Sequence, residues 1–261
     1  MRILIELIRN AVKLLAKTNS KLPGILEFDL KQMQGKGAGG ASSVEIEAKI
    51  AIDFLTKRGI ENPVVLDIGA NVGRYSAAIL GSNPYARIFA FEPSSAAREE
   101  LQKRFRGSKE ITIIPLALSN SKSTQTLWSD TAGSGLASLT RRRLDHFKIK
   151  FDHSEQVEVN SLDNWLKESL IIPDLIKMDV EGHELDVLMG GTEALKMVQV
   201  VQFEFGGCNI DTRTYFQDFW YFFSQLGFEL YRISESGPIR VTQYSEEDEY
   251  FKTTNYLATR G

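Results

Sequence analysis

The sequence has one cysteine, no long apolar run and little net charge. A single cysteine, Cys208, excludes an intramolecular disulfide framework, which fits a reducing, cytoplasmic setting. No stretch supplies the roughly 20 mostly apolar residues that span a bilayer. A formal net charge of −3 gives no general attraction to nucleic acid. With 43% hydrophobic residues in a chain of 261, one sizeable α/β domain is the expected organisation.

The glycine pattern of a dinucleotide site, G-x-G-x-x-G, is also missing from the one place where it is expected. An apolar run that ends at Asp67 is followed by Gly69, Asn71 and Gly73, and then by residues of helical character. This order predicts a buried strand, a tight turn and a helix. Asn71 occupies the interior of the turn, where a middle glycine would make room for a pyrophosphate. The turn therefore predicts a nucleotide-binding fold that is not shaped for a pyrophosphate.

Two acids end the first two predicted strands. Asp67 closes the first, and Glu92, followed by Pro93, closes the second. A carboxylate repels phosphate but attracts an ammonium or sulfonium group. An acid after the second strand is suited to accept hydrogen bonds from ribose hydroxyls. Adenosine without phosphate but with a cationic amino-acid arm describes S-adenosylmethionine.

Four motifs in order resemble those of the FkbM family of methyltransferases, at residues 65–73, 91–93, 117–119 and 176–184. The resemblance implies an α/β, Rossmann-like class I methyltransferase fold with a mostly parallel seven-stranded sheet and an antiparallel last strand. It also implies methyl transfer to a hydroxyl of a sugar, glycolipid or secondary metabolite. A third strand is predicted over residues 111–119, with its end beside the adenine ring. The predicted cofactor residues are Asp67, Gly69, Asn71, Gly73, Glu92, Pro93 and Ser119.

Three ionisable residues follow the predicted fourth strand: Asp179, Glu181 and His183. Ligands gather at the carboxyl ends of strands in such sheets, so these residues should lie beside the cofactor. His183 is the natural base for a hydroxyl acceptor near neutral pH, with Glu181 and Asp179 as alternatives. In a purely structural interpretation, Asp179 caps the next helix while the other two face solvent.

Glu204, in the predicted fifth strand, is a further catalytic candidate. Asp179 and Glu204 at neighbouring strand ends offer oxygen ligands of the kind that Mg²⁺ accepts, and a bound ion would lower the pKa of a coordinated hydroxyl. Without a metal, Glu204 would orient the substrate hydroxyl or His183. Both mechanisms stay open at this point.

Residues 120–160 predict a hairpin excursion rather than another helix and strand. They contain the basic cluster Arg141 to Arg143, for which two interpretations remain: a solvated edge, or a mobile lid that attracts an anionic substrate. The aromatic stripe between Tyr215 and Leu226 has helical spacing and predicts a core helix. The last two apolar runs predict an antiparallel pair that closes the sheet.

Residues 1–43 are predicted to form an amphipathic helix and a linker, ahead of a methyltransferase domain at 44–261. Residues 18–43 are the linker, and Ser42 with Glu45 suits a capping box for the helix that follows. The first helix is too short and too charged to span a bilayer. Three roles remain for it: packing on the domain, pairing with another copy, or peripheral contact with a membrane.

The sequence favours a small-molecule or glycan substrate and no nucleic acid. A nucleic-acid methyltransferase would need a broad basic face, which the composition does not favour. A non-catalytic binding or assembly subunit would not need the acids that are suited to the cofactor. A dehydrogenase is disfavoured by the glycine spacing.

Overall fold

The computed structural model describes residues 2–37, 39 and 43–261. The strands in these residues are β1 (Val64–Ile68), β2 (Arg87–Phe91), β3 (Ile111–Ile114), β4 (Ala117–Ser119), β5 (Ser123–Ser129), β6 (His153–Ser161), β7 (Leu175–Met178), β8 (Val200–Phe205), β9 (Phe228–Ser234), β10 (Gly237–Val241) and β11 (Thr254–Arg260). The helices are α1 (Arg2–Thr18), α2 (Leu22–Met33), α3 (Val44–Thr56), α4 (Arg74–Ser82), α5 (Ser95–Arg104), α6 (Leu162–Ser169), α7 (Glu184–Met189), α8 (Cys208–Thr212) and α9 (Phe216–Gln225).

The main sheet has eight strands in the order β10-β9-β11-β8-β7-β1-β2-β3. The five strands from β8 to β3 are parallel to one another. β11, the last strand of the chain, runs antiparallel to both of its neighbours, β8 and β9. This arrangement confirms the predicted class I methyltransferase fold. The structure adds an eighth strand, β10, which forms an antiparallel edge hairpin with β9.

Helices cover both faces of the parallel strands, as the continuous apolar runs in those strands require. In β1, Val65 packs on the face that carries α3 and α4, and Leu66 packs on the face that carries α7 and α9. The predicted core role of the aromatic stripe is confirmed, because three rings of α9 are fully buried: Phe216, Phe219 and Phe223. The two faces leave the carboxyl ends of the strands free to form a site.

A second sheet of three strands, in the order β4-β6-β5, lies after β3 in the chain. β5 and β6 pair antiparallel from Ser123↔Val159 to Ser129↔His153, which confirms the predicted hairpin excursion. The prediction of one strand across residues 111–119 is wrong. The main-sheet strand stops at Ile114, and Ala117–Ser119 pair with β6 instead. Pro115 separates the two strands, since it has no N–H to donate to a strand ladder.

The N-terminal segment contains more helix than its composition predicts. α2 occupies residues 22–33, inside the predicted linker, and Pro23 lies in its first turn, where the missing N–H costs nothing. Ser43 caps α3, with its Oγ accepting a hydrogen bond from the N–H of Ile46 at 3.3 Å. The predicted capping residue, Ser42, lies outside the described residues. The division into an N-terminal segment and a domain from residue 44 stays a prediction.

Candidate active site

The turn after β1 lies close to the backbone that follows β7, at the carboxyl ends of these two strands. Gly69 has φ +81°, and a Cβ atom there would lie 1.9 Å from the carbonyl oxygen of Asp179. No side chain fits at this point, so the residue has to be glycine. Gly73 has φ +78°, and a Cβ there would meet the side chains of Leu101 and Phe105 at 2.5 Å. Gly73 therefore allows α4 to pack against α5 and its C-terminal cap.

Glu92 follows β2 and is bonded to the turn after β1. Its Oε2 accepts a hydrogen bond from the N–H of Asn71 at 2.7 Å, and its Oε1 accepts one from the N–H of Ser94, also at 2.7 Å. Asn71 has the left-handed φ of 48°. Glu92 is 5% exposed, and burial raises the pKa of its carboxyl to about 7. The second lone pair of each carboxylate oxygen stays free to accept a ligand hydroxyl.

A first cavity of about 560 Å³ lies where β1, β2 and β7 end. Gly69, Asn71, Glu92 and Pro93 line it as predicted, together with Asp179, Glu181 and His183. The remaining lining residues are mostly small or apolar: Ile68, Leu116, Ala117, Leu118, Leu127, Ser134, Gly135, Ala137, Ser138, Leu139 and Val180.

Three predicted cofactor residues, Asp67, Gly73 and Ser119, do not line this cavity. Asp67 is fully buried, with its Oδ2 accepting a hydrogen bond from the hydroxyl of Ser76 at 2.6 Å. Its Oδ1 has no hydrogen-bond partner and lies 3.8 Å from the Nζ of Lys177. Ser119 is 4% exposed within β4, and its neighbours Ala117 and Leu118 face the cavity instead. The placement gives Asp67 a structural role beneath the turn and gives no support to a cofactor contact by Ser119.

His183 is held on both sides of its ring. Its Nδ1 lies 2.9 Å from Oδ2 of Asp186, and its Nε2 lies 2.9 Å from Oγ1 of Thr140. The hydrogen bond from His183 lowers the pKa of Asp186, which keeps that carboxylate charged. A carboxylate only accepts hydrogen bonds, so the ring proton belongs on Nδ1 and the Nε2 lone pair accepts from Thr140. The histidine is thus oriented with its basic nitrogen away from Asp186.

Glu181 binds a residue of the basic cluster. The Nη1 of Arg142 lies 2.5 Å from Oε2 of Glu181, and its Nε lies 3.5 Å from Oδ2 of Asp211. The Arg142 side chain is only 9% exposed. This arginine therefore forms neither a solvated edge nor a free anion site. Burial raises the pKa of the Glu181 carboxyl to about 8, with Asp179 adding to the rise and Arg142 opposing it.

The interpretation in which Asp179 caps the next helix is not what the structure shows. His183 stands at the N-cap of α7, without a side-chain cap hydrogen bond. Glu184 instead braces the turn before the helix, because its carboxylate accepts hydrogen bonds from the N–H of Val180 at 2.9 Å and from the N–H of Gly182 at 3.1 Å. Asp179 is left facing the cavity, with its side chain 39% exposed.

A second, more open cavity adjoins the first. The two share Gly69, Asn71, Gly135 and Asp179. Its floor is polar: the Nζ of Lys177 lies 3.1 Å from Oδ2 of Asp179, and Glu204 emerges from β8 beside them. Burial, with Asp179 and Glu181 adding to it, raises the pKa of Glu204 well above its usual range. Glu204 lines the second cavity and not the first.

A metal site at Asp179 and Glu204 finds no support. Among the described residues, no group of three or more His, Cys, Asp or Glu side chains is arranged to hold an ion. Asp179 already forms an ion pair with Lys177. The arrangement of these side chains therefore does not support the predicted Mg²⁺.

The first cavity fits the predicted methyl donor in its chemistry. Among its described lining residues, three are acids, Glu92, Asp179 and Glu181, and none is lysine or arginine. The surrounding wall is apolar at Leu116 and Leu118. Such a lining suits an uncharged base, a ribose and a cationic group, and it opposes a pyrophosphate.

The family model of the FkbM methyltransferase domain matches residues 67–230. All the residues that line the first cavity lie in this range. The second cavity is also lined by Gly39, Val44, Glu47 and Asn255, which lie outside it. The chain belongs to the FkbM methyltransferase family. This membership confirms that the protein is a methyltransferase, and it supports the predicted methyl donor, S-adenosylmethionine.

Two relatives of this FkbM methyltransferase have names that describe their activity. The 2-O-methyltransferase NoeI of Sinorhizobium fredii is 30% identical over 175 residues, which cover 63% of this chain and 70% of that protein. The hexuronic acid methyltransferase AglP of Haloferax volcanii is 31% identical over 154 residues, which cover 58% of this chain and 59% of that protein. The match therefore spans less than two thirds of the second relative's length.

The sequence analysis did not predict several site residues of this FkbM methyltransferase. Asp186 stands three positions after His183, a spacing that brings side chains together on a helical turn and would have identified it. Lys177 interrupts an apolar strand two positions before Asp179, which is also a local signal. Thr140 lies 43 residues before His183, and no local pattern indicates their contact.

Proposed function

We propose that this chain transfers a methyl group from S-adenosylmethionine to a hydroxyl of a sugar or sugar-bearing acceptor. The observation that carries the proposal is the orientation of His183, which lines the same cavity as Glu92 and has Nδ1 bound to Asp186. The two relatives, a 2-O-methyltransferase and a hexuronic acid methyltransferase, support an oxygen acceptor on a sugar.

The residues of the first cavity would hold the donor through its nucleoside. The Glu92 carboxylate would accept hydrogen bonds from the ribose hydroxyls, while Pro93 and Leu116 to Leu118 would contact the base. Asp179, which lines both cavities, would attract the cationic group of the donor. When bound, S-adenosylmethionine supplies an electrophilic methyl group on a sulfonium.

His183 would take the proton of the acceptor hydroxyl. Its Nδ1–H is directed at Asp186, so the Nε2 lone pair is available to a hydroxyl. The Thr140 hydroxyl already donates to Nε2 at 2.9 Å. The acceptor hydroxyl would either replace Thr140 at this nitrogen or pass its proton through Thr140. Asp186 would stabilise the imidazolium that forms.

The second cavity suits an acceptor with many hydroxyls. Within it, Glu47 is 5% exposed and accepts a hydrogen bond from the Nδ2 of Asn255 at 2.7 Å. Lys177 and Glu204 add a further donor and acceptor to the same wall. Fixed polar groups of both kinds can replace the water around sugar hydroxyls. An acceptor entering here reaches the first cavity at Asp179.

The test combines two variants with two measurements. Glu92→Ala should abolish S-adenosylmethionine binding in calorimetry. His183→Ala should retain that binding and lower methyl transfer to sugar acceptors by about 10²- to 10⁴-fold. His153→Ala, at an exposed histidine of β6, is the control and should behave as the unchanged protein. The assignment fails if both test variants bind and react normally.

The nature of the product separates the oxygen acceptors. A methyl ether formed on a hydroxyl survives mild base, whereas a methyl ester formed on a uronic carboxylate is hydrolysed. We expect base-stable methyl groups on the product. Base-labile groups, or transfer to nucleic acid in preference to every sugar acceptor, would overturn the proposed acceptor class.

A further inference from the structure

The helix α1 exposes most of its large apolar side chains. Among these residues, Leu4, Leu7, Ile8, Leu14 and Leu15 have exposed fractions of 62%, 62%, 54%, 67% and 52%. α1 packs against α2, and the half-buried Val12 and Ala16 mark that side of the helix. An exposed apolar surface of this kind normally marks a binding surface for a protein or a membrane. The helix lies outside the residues matched by the family model.

Charge and apolar character are sharply segregated around α1. At 3.6 residues per turn, Glu6, Arg9, Lys13 and Lys17 all fall within roughly a quarter of the helix circumference. This charged stripe has three cations and one acid, although the whole chain has a formal net charge of −3. The stripe therefore has the opposite sign to the rest of the protein and complements an anionic surface.

The width of the apolar face distinguishes a membrane from a second copy of the chain. A helix that pairs with another helix presents a narrow seam, whereas the exposed apolar residues of α1, which include Ile5 at 45%, occupy about half of the circumference. A broad apolar face bordered by basic residues is typical of a helix that lies in the plane of a membrane interface. Among the described residues, no helix is long and apolar enough to cross a bilayer.

The segment after α2 connects these helices to the second cavity. The Nζ of Lys36 forms a 2.7 Å ion pair with Asp248, and both side chains are buried. The N–H of Gly39 donates to the carbonyl of Thr253 at 2.8 Å, and Gly39 itself lines the second cavity. A surface that binds α1 would therefore be connected through a short, anchored segment to the rim of the site.

We propose that α1 binds an anionic lipid surface. Leu4, Leu7, Ile8, Leu14 and Leu15 enter the boundary between headgroups and acyl chains, and the basic stripe, Arg9, Lys13 and Lys17, contacts lipid phosphates. Apolar burial and electrostatic attraction both contribute to such binding. The inference goes beyond the proposed chemistry and does not depend on it.

The test uses the full chain and vesicle co-sedimentation. Vesicles of equal parts phosphatidylcholine and phosphatidylglycerol should bind the protein at least about tenfold more tightly than vesicles of phosphatidylcholine alone. The double variant Leu7→Glu/Leu14→Glu should lose binding, and Arg9→Glu/Lys13→Glu should lose the preference for anionic vesicles. Leu170→Glu, at a leucine that is 86% exposed outside α1, is the matched control and should bind normally.

Thermal unfolding checks that each variant is folded, and light scattering measures the oligomeric state in solution. Each variant should unfold at the temperature of the unchanged protein, because the substituted side chains are exposed. Absence of vesicle binding, or equal binding to both vesicle types, would overturn the proposal. So would a concentration-dependent dimer in solution that Leu7→Glu/Leu14→Glu abolishes, since a second copy of the chain would then cover the apolar face.

Discussion

Asp186 accepts a hydrogen bond from the Nδ1 of His183 at 2.9 Å, and this contact selects which nitrogen of the ring acts as a base. The other carboxylate oxygen of Asp186 accepts a hydrogen bond from the Nδ2 of Asn120 at 2.9 Å. Asp186, a residue of α7, is thus held by the residue that follows β4, and it orients His183 in turn. An acid that orients a histidine without touching the substrate is a positioning residue.

Asp186→Asn should lower methyl transfer by roughly 10²-fold or more while leaving cofactor binding unchanged. An amide can donate to Nδ1, which would move the ring proton to Nε2 and remove the basic lone pair from the cavity. The fall should appear in kcat, and the pH profile of kcat should change with it. Glu193→Gln, at an exposed acid paired with Lys196, is the control. Equal kcat for the two variants would show that Asp186 has no positioning role.

Cofactor affinity should rise with pH and level off above about pH 7, where the pKa of Glu92 lies because of burial. Ribose hydroxyls donate to the charged carboxylate, so binding below that pKa requires loss of a proton and weakens by roughly tenfold per pH unit. Calorimetry across this range measures the effect. Glu92→Gln should bind weakly and without this dependence. Affinity of the unchanged protein that is flat across the range would exclude the role of Glu92.

The same pKa has the opposite consequence for the stability of the cofactor-free protein. A carboxyl whose pKa is raised on folding binds its proton more tightly in the folded state, so its stabilising contribution is full below the usual value of 4.5. That contribution is lost as the pH rises through about 7. Denaturant titrations of the cofactor-free chain should therefore show that Glu92→Gln lessens the decline in stability over this range.

Gly69→Ala should destabilise the protein by at least about 2 kcal/mol, since it combines a left-handed backbone with a backbone clash. The added Cβ would lie 1.9 Å from the carbonyl oxygen of Asp179. Gly81→Ala is a matched control in α4, where a Cβ would have nothing within 4 Å. It should stabilise the protein by about 0.5–1 kcal/mol. Denaturant unfolding of both variants measures the contrast, and similar stabilities would show that the turn adapts.

The sequence predicts the site residues at the strand ends better than the contacts that the loop after β5 makes with them. Glu92 and Asp179 end neighbouring parallel strands, so local pattern and the rule for ligand sites in α/β sheets place them together. The contacts of Thr140 with His183 and of Arg142 with Glu181 join segments about 40 residues apart, and their geometry depends on how the hairpin folds back. Which of these side chains become buried together depends on the tertiary fold, and the spacing of residues along the chain does not predict it.

Lys177→Met should destabilise the protein by about 3–5 kcal/mol at neutral pH, because it leaves buried Asp67 without its counter-charge. Burial already raises the pKa of Asp67 above its usual 3.8, and loss of Lys177 would raise it further. A raised pKa gives stability that is present at low pH and lost as the pH rises through the folded value. The deficit should therefore be smaller under mildly acidic conditions.

The double variant Lys177→Met/Asp67→Asn tests the cause of that loss. It removes both charges and should recover part of the stability of Lys177→Met at neutral pH, with little of its pH dependence. Chemical denaturation at several pH values provides the comparison. If the double variant is as unstable and as sensitive to pH as the single one, the ion pair with Asp67 does not explain the loss.

Arg142→Met should loosen the loop that covers the first cavity. Arg142 joins Glu181 to Asp211, while Ser138 of the same loop donates its hydroxyl to the carbonyl of Glu181 at 2.9 Å. At alkaline pH, where the Glu181 carboxyl loses its proton, loss of the arginine leaves two partly buried carboxylates unpaired, which favours opening of the loop. Backbone amides of residues 134–144 should exchange hydrogen faster, and bound S-adenosylmethionine should dissociate faster.

Two further variants identify which property of Arg142 matters. Arg142→Lys should restore little, because a single ammonium group cannot reproduce the separate contacts of a guanidinium with two acids. Arg143→Met changes the exposed neighbour and should leave exchange and dissociation unchanged. At alkaline pH, removing the charge of Glu181 in Arg142→Met/Glu181→Gln should slow exchange again, since the unpaired carboxylate is what drives opening. Faster exchange in Arg143→Met, or none in Arg142→Met, would place the control of this loop in other contacts.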